Sequence, residues 1–137
     1  MTRYLLDTCA VLEFAKREPN AGFLAWAHEI DPSRTYLSAM TIGELYYGIG
    51  LAHDPQKARL ETWLSNEVVP EFGARILAFD AGVAARWGAI RARRAGATLS
   101  ALDAAIAATA SRHDLTIVTC NEMDFSNAGV SIYNPWD

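Results

Sequence analysis

Short β-prone runs alternate with helical patterns along the whole chain, and this alternation restricts the possible folds more than any other feature. The β-prone runs cover residues 3–7, 35–37, 75–79, 114–119 and 129–133, and stretches with apolar residues at helical spacing separate them. Such alternation is typical of a parallel sheet, because parallel neighbours need a crossover connection, usually a helix. The pattern therefore predicts a three-layer α/β fold with about five mainly parallel strands and helices on both faces.

Size and composition favour one ordinary globular domain. Of the 137 residues 51% are hydrophobic, which is enough for a core without disulfides or structural metal, so we expect a single domain over residues 1–137. A formal net charge of −4 argues against a protein that coats nucleic acid through bulk charge. No apolar run approaches the roughly 18 residues of a membrane span, and Asp7 comes too early for a signal peptide, so we expect a cytoplasmic protein.

Asp103 is the one carboxylate in residues 99–111, a helical stretch of almost wholly small and apolar residues. Ser100 suits the N-cap of this helix, and Asp103, three residues later, would complete a capping box near the positive end of the helix dipole. Asp7 has the same ordinary interpretation, as the N-cap of a helix over residues 10–16. Residue type alone leaves a structural and a functional role open for both acids.

Two further acids, Glu44 and Asp80, help to separate a structural from a functional role. Glu44 matches a capping box with Thr41, but the apolar face of its helix begins earlier, at Met40 and Ile42, which favours another role for Glu44. Asp80 also lies between a β-prone run and a helix, but no further motif surrounds it. We therefore expect Asp80 to be a helix cap and nothing more.

The acids Asp7, Glu44, Asp103 and Asp124 fall just after predicted strands or in helices that can reach the strand ends. Right-handed crossovers bring the carboxyl ends of parallel strands to one edge of the sheet. Carboxylates gathered there repel one another unless a cation is bound, and oxygen-only ligands select Mg²⁺ or Mn²⁺. Because such an ion activates water and neutralises charge on a phosphodiester, the sequence favours hydrolysis of a nucleic-acid backbone.

A basic cluster ends the helix that follows Asp80. Its members are Arg86, Arg91, Arg93 and Arg94. Basic side chains suit a helix C-terminus, and the same cluster is a candidate RNA-binding surface, so both interpretations stay open.

Several short motifs occur in order along the chain: Leu5-Leu-Asp7-Thr8, Leu37-Ser-Ala-x-Thr41-x-Gly-Glu44, Leu102-Asp103-Ala-x-Ile106, Val118-Thr119-x-Asn121-x-x-Asp124-Phe125 and Asn134-Pro-Trp136. As an ordered set, which covers essentially the whole chain, they resemble the PIN domain of VapC-type toxins from type II toxin–antitoxin systems. The resemblance implies a PIN-like fold and an endoribonuclease that depends on Mg²⁺ or Mn²⁺. It also implies a homodimer, neutralised by a cognate antitoxin that enters the active-site groove, alone or in a larger complex.

The resemblance also implies roles for particular residues. Asp7 and Asp103 would be the principal metal ligands, Glu44 and Asp124 would be secondary ligands, and all four would be catalytic. Thr8, Thr119 and Asn121 would support the site, with either Asn121 or Asp124 making the fourth contact.

Cys9 and Cys120 depart from the pattern, because relatives commonly carry Asn and Arg at these positions. Losing that Arg removes a phosphate or antitoxin contact, which leaves one alternative function: a catalytically weak or inactive PIN-like module that binds RNA or protein. The thiols follow strands that should be neighbours. We therefore expect them to approach one another at the edge of the site and to make it sensitive to oxidation.

Two other classes of α/β protein with acidic sites fit poorly. A haloacid-dehalogenase-like phosphatase needs a second Asp two residues after the first, where this chain has Cys9. A receiver-like phosphorylation switch needs a Lys at the end of its last strand, and residues 131–133 contain none.

Overall fold

The computed structural model describes residues 1–93 and 98–137, in which strands and helices alternate. The strands are β1 (Tyr4–Leu6), β2 (Thr35–Ser38), β3 (Ile76–Leu77), β4 (Thr116–Val118) and β5 (Ile132–Tyr133). The longer helices are α1 (Thr8–Ala15), α2 (Ala21–Glu29), α3 (Ala39–Gly50), α4 (Gln56–Trp63), α6 (Ala81–Ala92) and α7 (Ala101–His113). The short helices are α5 (Val69–Phe72) and α8 (Glu122–Phe125), and a π-helical turn, Leu64–Val68, joins α4 to α5.

The strands form one five-stranded sheet in the order β3-β2-β1-β4-β5, and every neighbouring pair is parallel. In the register, Leu5 of β1 lies opposite Tyr36 of β2 and Ile117 of β4. The predicted parallel α/β fold is therefore confirmed. The strand order reverses direction between β1 and β4, and crevices for ligands in such sheets lie at the carboxyl ends of the strands at this point.

Alternate side chains of each strand enter cores on opposite faces of the sheet. Leu5 and Ile117 belong to the core with α6 and α7, whereas Leu6 and Val118 belong to the core with α1, α2 and α3. Helices thus cover both faces, as predicted. In the part of the chain that the structure describes, no helix combines the length and the apolar character needed to cross a membrane.

Helix α7 lies deep within its core. Every residue from Ala104 to Ala110 is buried, and α6 is its main helical neighbour. The small side chains let α7 lie close to the sheet and to α6, because little volume separates the backbones. This close packing fixes the position of Asp103 in the first turn of α7.

Candidate active site

Asp7 follows the central strand β1 and is the N-cap of α1, as its sequence context indicates. Its carboxylate accepts hydrogen bonds from the Ala10 N–H at 3.1 Å and from the Cys9 thiol at 2.9 Å. Its backbone N–H donates to the Val118 carbonyl of β4 at 3.2 Å. The residue is only 5% exposed, so the cap holds a buried carboxylate in a fixed position.

Burial raises the pKa of the Asp7 carboxyl above its ordinary value of 3.8, because desolvation disfavours the charged form. Hydrogen bonds from the Cys9 thiol, the Thr119 side chain and the Ala10 N–H lower the pKa and offset only part of this effect. The described residues form ion pairs between Lys16 and Glu13 and between Arg75 and Glu71, and neither pair includes Asp7. Among the residues that the structure describes, the buried Asp7 carboxylate therefore has no cationic side chain paired to it.

Asp103 lies in the first turn of α7, and Ser100 is confirmed as the N-cap of that helix. The Ser100 hydroxyl accepts a hydrogen bond from the Asp103 N–H at 3.0 Å. Burial raises the pKa of the Asp103 carboxyl, and the negative charges of Asp124 and Asp7 raise it further, while a hydrogen bond to Ser100 lowers it. The charges of both other strand-end aspartates therefore disfavour the ionised form of Asp103.

Asp124 lies on α8, beyond the end of β4, and is exposed. Together with Asp103 it lines a small cavity of about 160 Å³. A larger cavity of about 680 Å³ lies elsewhere, lined by apolar side chains that include Trp26, Trp63 and Phe72, and holds none of the four predicted acids. The acidic cavity beside Asp103 and Asp124 is therefore the smaller of these two cavities.

Glu44 lies on α3 and is exposed. The Thr41 capping box is absent, because α3 begins earlier, with Ser38 as the N-cap that accepts from the Met40 N–H at 3.0 Å. Helix α3 contacts α1, which begins beside Asp7, and α7, which contains Asp103. Glu44 thus has no capping role, and its helix adjoins those of the principal acids.

The predicted supporting residues lie at the ends of β1 and β4. Thr119 is completely buried; its hydroxyl accepts from the Asn121 N–H at 2.9 Å, and its side chain hydrogen-bonds Asp7. Asn121 also accepts the Asp124 N–H through its own carbonyl at 3.0 Å. The buried hydroxyl of Thr8 has no hydrogen-bond partner among the described residues. Thr119 therefore orients Asp7, and Asn121 shapes the turn that leads to Asp124.

The two thiols meet, as the sequence predicts. The Cys120 thiol donates to the Cys9 sulfur at 3.1 Å, and the Cys120 N–H donates to the same sulfur at 3.4 Å. Burial and the nearby Asp7 charge raise the pKa of the Cys9 thiol, which favours its protonated form. Cys9 is consequently a hydrogen-bond donor to Asp7, a role that residue type alone does not reveal.

The predicted arginine cluster makes intramolecular contacts. Arg86 donates to the Ser111 hydroxyl at 3.0 Å, and Arg91 donates to the Leu99 carbonyl at 3.2 Å. Arg93 donates to the Ala128 carbonyl at 3.0 Å. These bonds connect α6 and the residue that follows it to the last turn of α7, to the segment before α7 and to the segment after α8, whereas Arg94 lies outside the described residues. RNA binding by this cluster stays a prediction.

Sequence analysis missed one buried acid near the site. Glu13 of α1 is 3% exposed and accepts from the Trp136 indole N–H at 2.8 Å, the Asn20 N–H at 3.0 Å and the Lys16 ammonium at 3.0 Å. These donors lower the pKa of Glu13 despite its burial. Glu13 joins the C-terminal segment to α1, and nothing in the sequence around Glu13 indicates that contact.

The donor chemistry fits a hard divalent cation in part. Among residues 1–93 and 98–137, no three His, Cys, Asp or Glu side chains form a group arranged to hold a metal ion. Asp7, Asp103 and Asp124 nevertheless offer only carboxylate oxygens, and the charges of Asp7 and Asp124 both act on Asp103. A bound cation would relieve this repulsion, so Asp7 and Asp103 fit the role of ligands.

The fold is a parallel α/β domain with a group of acids near the carboxyl ends of its strands. The family model described as PIN domain matches residues 4–130. Toxin FitB of Neisseria gonorrhoeae (strain ATCC 700825 / FA 1090) is 38% identical over 135 residues, which cover 96% of this chain and 97% of that protein. VapC ribonuclease Y4jK of Sinorhizobium fredii (strain NBRC 101917 / NGR234) is 32% identical over 136 residues, 97% of each chain.

Two solved structures are also similar to this chain over almost its full length. The crystal structure of FitAcB from Neisseria gonorrhoeae has a TM-score of 0.88 and 37% identity, covering 97% of this chain and 98% of that one. A toxin–antitoxin complex from Klebsiella pneumoniae has a TM-score of 0.65 and 25% identity, with 98% of each chain covered. The chain therefore belongs to the PIN-domain family, and its predicted resemblance to VapC-type proteins is confirmed.

Proposed function

We propose that this protein is a metal-dependent endoribonuclease toxin that hydrolyses RNA phosphodiester bonds and is neutralised by a cognate antitoxin. The observation that carries the proposal is the electrostatic coupling of Asp103 to Asp7 and Asp124, with no cationic side chain paired to Asp7 or Asp103 among the described residues. An external positive charge stabilises buried or half-buried carboxylates in this arrangement. The names of toxin FitB and VapC ribonuclease Y4jK support the same function.

In this proposal Asp7 and Asp103 hold Mg²⁺ or Mn²⁺ as principal ligands, with Glu44 and Asp124 as secondary ligands. The ion supplies an activated water and neutralises charge on the phosphodiester. Thr119 orients the Asp7 carboxylate through its hydroxyl, and the Ala10 N–H fixes the same carboxylate at the start of α1. The chain itself thus contributes rigid placement of oxygen ligands, which favours binding of a hard cation.

We further propose an antitoxin protein as the partner, within a toxin–antitoxin complex that contains a homodimer of this chain in the cytoplasm. The complex from Klebsiella pneumoniae supports a protein partner, because its chain and this one correspond over almost their full lengths. The arginine cluster, Arg86, Arg91, Arg93 and Arg94, is the proposed RNA-binding surface. A single domain over residues 1–137 agrees with a family match over residues 4–130.

The second candidate is a catalytically weak or inactive PIN-like module that binds RNA or protein. One observation favours it: the described residues hold no ready-made three-ligand group. The resemblance described above adds that Cys9 and Cys120 replace the Asn and Arg that its pattern implies at these positions. Both candidates use the same fold and differ in whether RNA is cut.

The deciding experiment incubates RNA with the purified full chain and Mg²⁺ or Mn²⁺, beside Asp103→Asn and a sample treated with a chelator. We expect the wild-type protein to cleave RNA with the metal present, and neither Asp103→Asn nor the chelator-treated sample to do so. Equal cleavage by wild type and Asp103→Asn would indicate a contaminating nuclease, and absence of cleavage in both would support the binding module. Asp80→Asn, which alters a helix cap away from the acids, is the matched control and should cleave normally.

A further inference from the structure

The Cys9 and Cys120 sulfurs form a close and accessible pair at the carboxyl ends of β1 and β4. Their separation is 3.1 Å, and both cysteines are free. Both also line an open cavity of about 580 Å³, together with Lys16 and Trp136. Cys120 is exposed and Cys9 is half-buried, so a small reagent reaches the pair through Cys120.

Cys9 also touches the candidate metal ligand. Its thiol donates to the Asp7 Oδ1 at 2.9 Å, and it contacts the Thr119 hydroxyl at 3.8 Å. Asp7 therefore accepts one of its hydrogen bonds from a sulfur that is also positioned against a second sulfur. Any reaction that removes the Cys9 proton changes the surroundings of Asp7.

We propose that peroxide joins Cys9 and Cys120 in a disulfide, and that this bond weakens divalent-metal binding at Asp7. The metal part of this inference rests on the proposed function, whereas formation of the disulfide does not. The pair is then a redox-sensitive control on the acidic site.

The chemistry needs one two-electron oxidant, for which hydrogen peroxide is sufficient. The Cys120 thiol releases its proton and its sulfur attacks one peroxide oxygen; the O–O bond breaks, Cys120 becomes a sulfenic acid, and the departing hydroxide takes up a proton to leave as water. The Cys9 sulfur then attacks the Cys120 sulfur; the S–O bond breaks, the departing hydroxide takes up the Cys9 proton to leave as a second water, and the S–S bond forms. Two thiols are oxidised and peroxide is reduced to two waters, and a dithiol reductant reverses the disulfide.

Formation of this bond has two effects on Asp7. The Cys9 proton is lost, so the hydrogen bond from its thiol to the carboxylate disappears, and the backbone N–H groups of Ala10 and Cys9 and the Thr119 side chain remain as donors. The sulfurs also move together from 3.1 Å to a bonding distance of about 2.05 Å, which draws the first turn of α1 toward the end of β4. Loss of a group that supports a metal ligand typically weakens metal affinity about 10- to 100-fold.

The test treats the reduced full chain with hydrogen peroxide and then measures three quantities. We expect both free thiols to disappear, the intact mass to fall by two hydrogens, and the Mn²⁺ dissociation constant from calorimetry to rise at least about 10-fold. Dithiothreitol should restore all three. Restoration also excludes oxidation of Met123, which is 89% exposed beside Asp124, because a dithiol does not reduce methionine sulfoxide.

Cys120→Ser is the matched variant, because it removes the exposed thiol and keeps Asp7, Cys9 and Thr119. We expect it to bind Mn²⁺ and cleave RNA like the reduced wild type, and to be insensitive to peroxide at the metal site. Two free thiols after treatment of the wild type, or a disulfide with unchanged Mn²⁺ affinity, would overturn the inference. A reduced wild type that neither binds Mn²⁺ nor cleaves RNA would instead overturn the proposed function and the metal half of the inference, while the thiol count still decides whether the disulfide forms.

Discussion

Asp7 and Asp80 occupy equivalent local positions in very different surroundings. Each lies between a strand and a helix, and each carboxylate accepts the backbone N–H three residues later: Ala10 at 3.1 Å for Asp7 and Val83 at 3.0 Å for Asp80. Asp7 follows β1, the central strand, whereas Asp80 comes after β3 at the edge of the sheet. Asp7 is buried and Asp80 is exposed, so the same local motif yields two different electrostatic environments.

The difference shows that a helix cap does not compete with a functional role. The cap fixes the Asp7 carboxylate, and tertiary neighbours then give it properties that Asp80 lacks: the Cys9 donor, the Thr119 donor and a charge interaction with Asp103. Local sequence signals predict both caps equally well. The motif around Asp7 separates the two aspartates in the sequence, and the tertiary surroundings show the physical difference between them.

The largest contrast should come from replacing each aspartate by asparagine. Asn is as good an N-cap as Asp, so α1 and α6 should remain intact in both variants. Asp7→Asn removes a charged ligand, and we expect RNA cleavage to fall more than about 100-fold, beyond the usual effect of a supporting residue. Asp80→Asn should keep wild-type activity. Similar rates for the two variants would remove the functional distinction between these aspartates.

Glu44→Gln should have an intermediate effect. Because Glu44 is exposed on α3, we expect it to act on the metal site through water, with cleavage reduced about 10-fold. Glu61→Gln, at an exposed acid of α4, is the control and should be neutral. A loss as large as that of Asp7→Asn would make Glu44 a direct ligand, and the contrast between buried and exposed acids would no longer hold.

Asp80→Ala should lower the free energy of unfolding more than Asp7→Ala does, which is the reverse of the order expected for RNA cleavage. Asp80→Ala loses a cap and should lower the free energy of unfolding by about 1 kcal/mol. Asp7→Ala loses an equivalent cap but also removes a buried carboxylate that has no cationic partner among the described residues, so its net cost without metal should be smaller. Urea unfolding in the presence of a chelator measures both values. A larger cost for Asp7→Ala would show that its hydrogen bonds outweigh its desolvation.

The smallest expected difference between the aspartates is in how folding stability depends on pH. The pKa values of Asp7 and Asp103 are raised above their ordinary value of 3.8 in the folded state, so the folded protein binds more protons than the unfolded protein just above that pH. This contribution to stability is fully present below 3.8 and is lost as pH rises through the raised pKa values.

Comparison of variants isolates this contribution, because Glu13, whose pKa is lowered, acts in the opposite direction. In a chelator, the melting temperature of Asp7→Asn should decline less with rising pH than that of the wild type, and Asp80→Asn should follow the wild type. Parallel curves for all three proteins would argue against desolvation of Asp7.

Much of the architecture follows from sequence patterns because those patterns are local. Alternating strand and helix periodicities predict the parallel sheet, and cap residues such as Ser100 and Asp80 mark helix starts through backbone N–H groups within a few residues. The ordered motifs likewise predict the PIN-domain family that the comparisons show. The expected approach of Cys9 to Cys120 is also confirmed, because neighbouring parallel strands align their carboxyl ends.

Tertiary structure decided what depends on contacts between distant residues. The sequence did not predict the burial of Glu13, because its partner Trp136 lies 123 positions away. It also left open whether Asp7 and Asp103 have only a local structural role, since capping depends on the nearest backbone. The pKa values of both depend on burial, and that of Asp103 depends also on the charges of Asp124 and Asp7. The physical reason is range: hydrogen bonds within a turn are encoded locally, but desolvation and charge repulsion arise only when the sheet brings separate segments together.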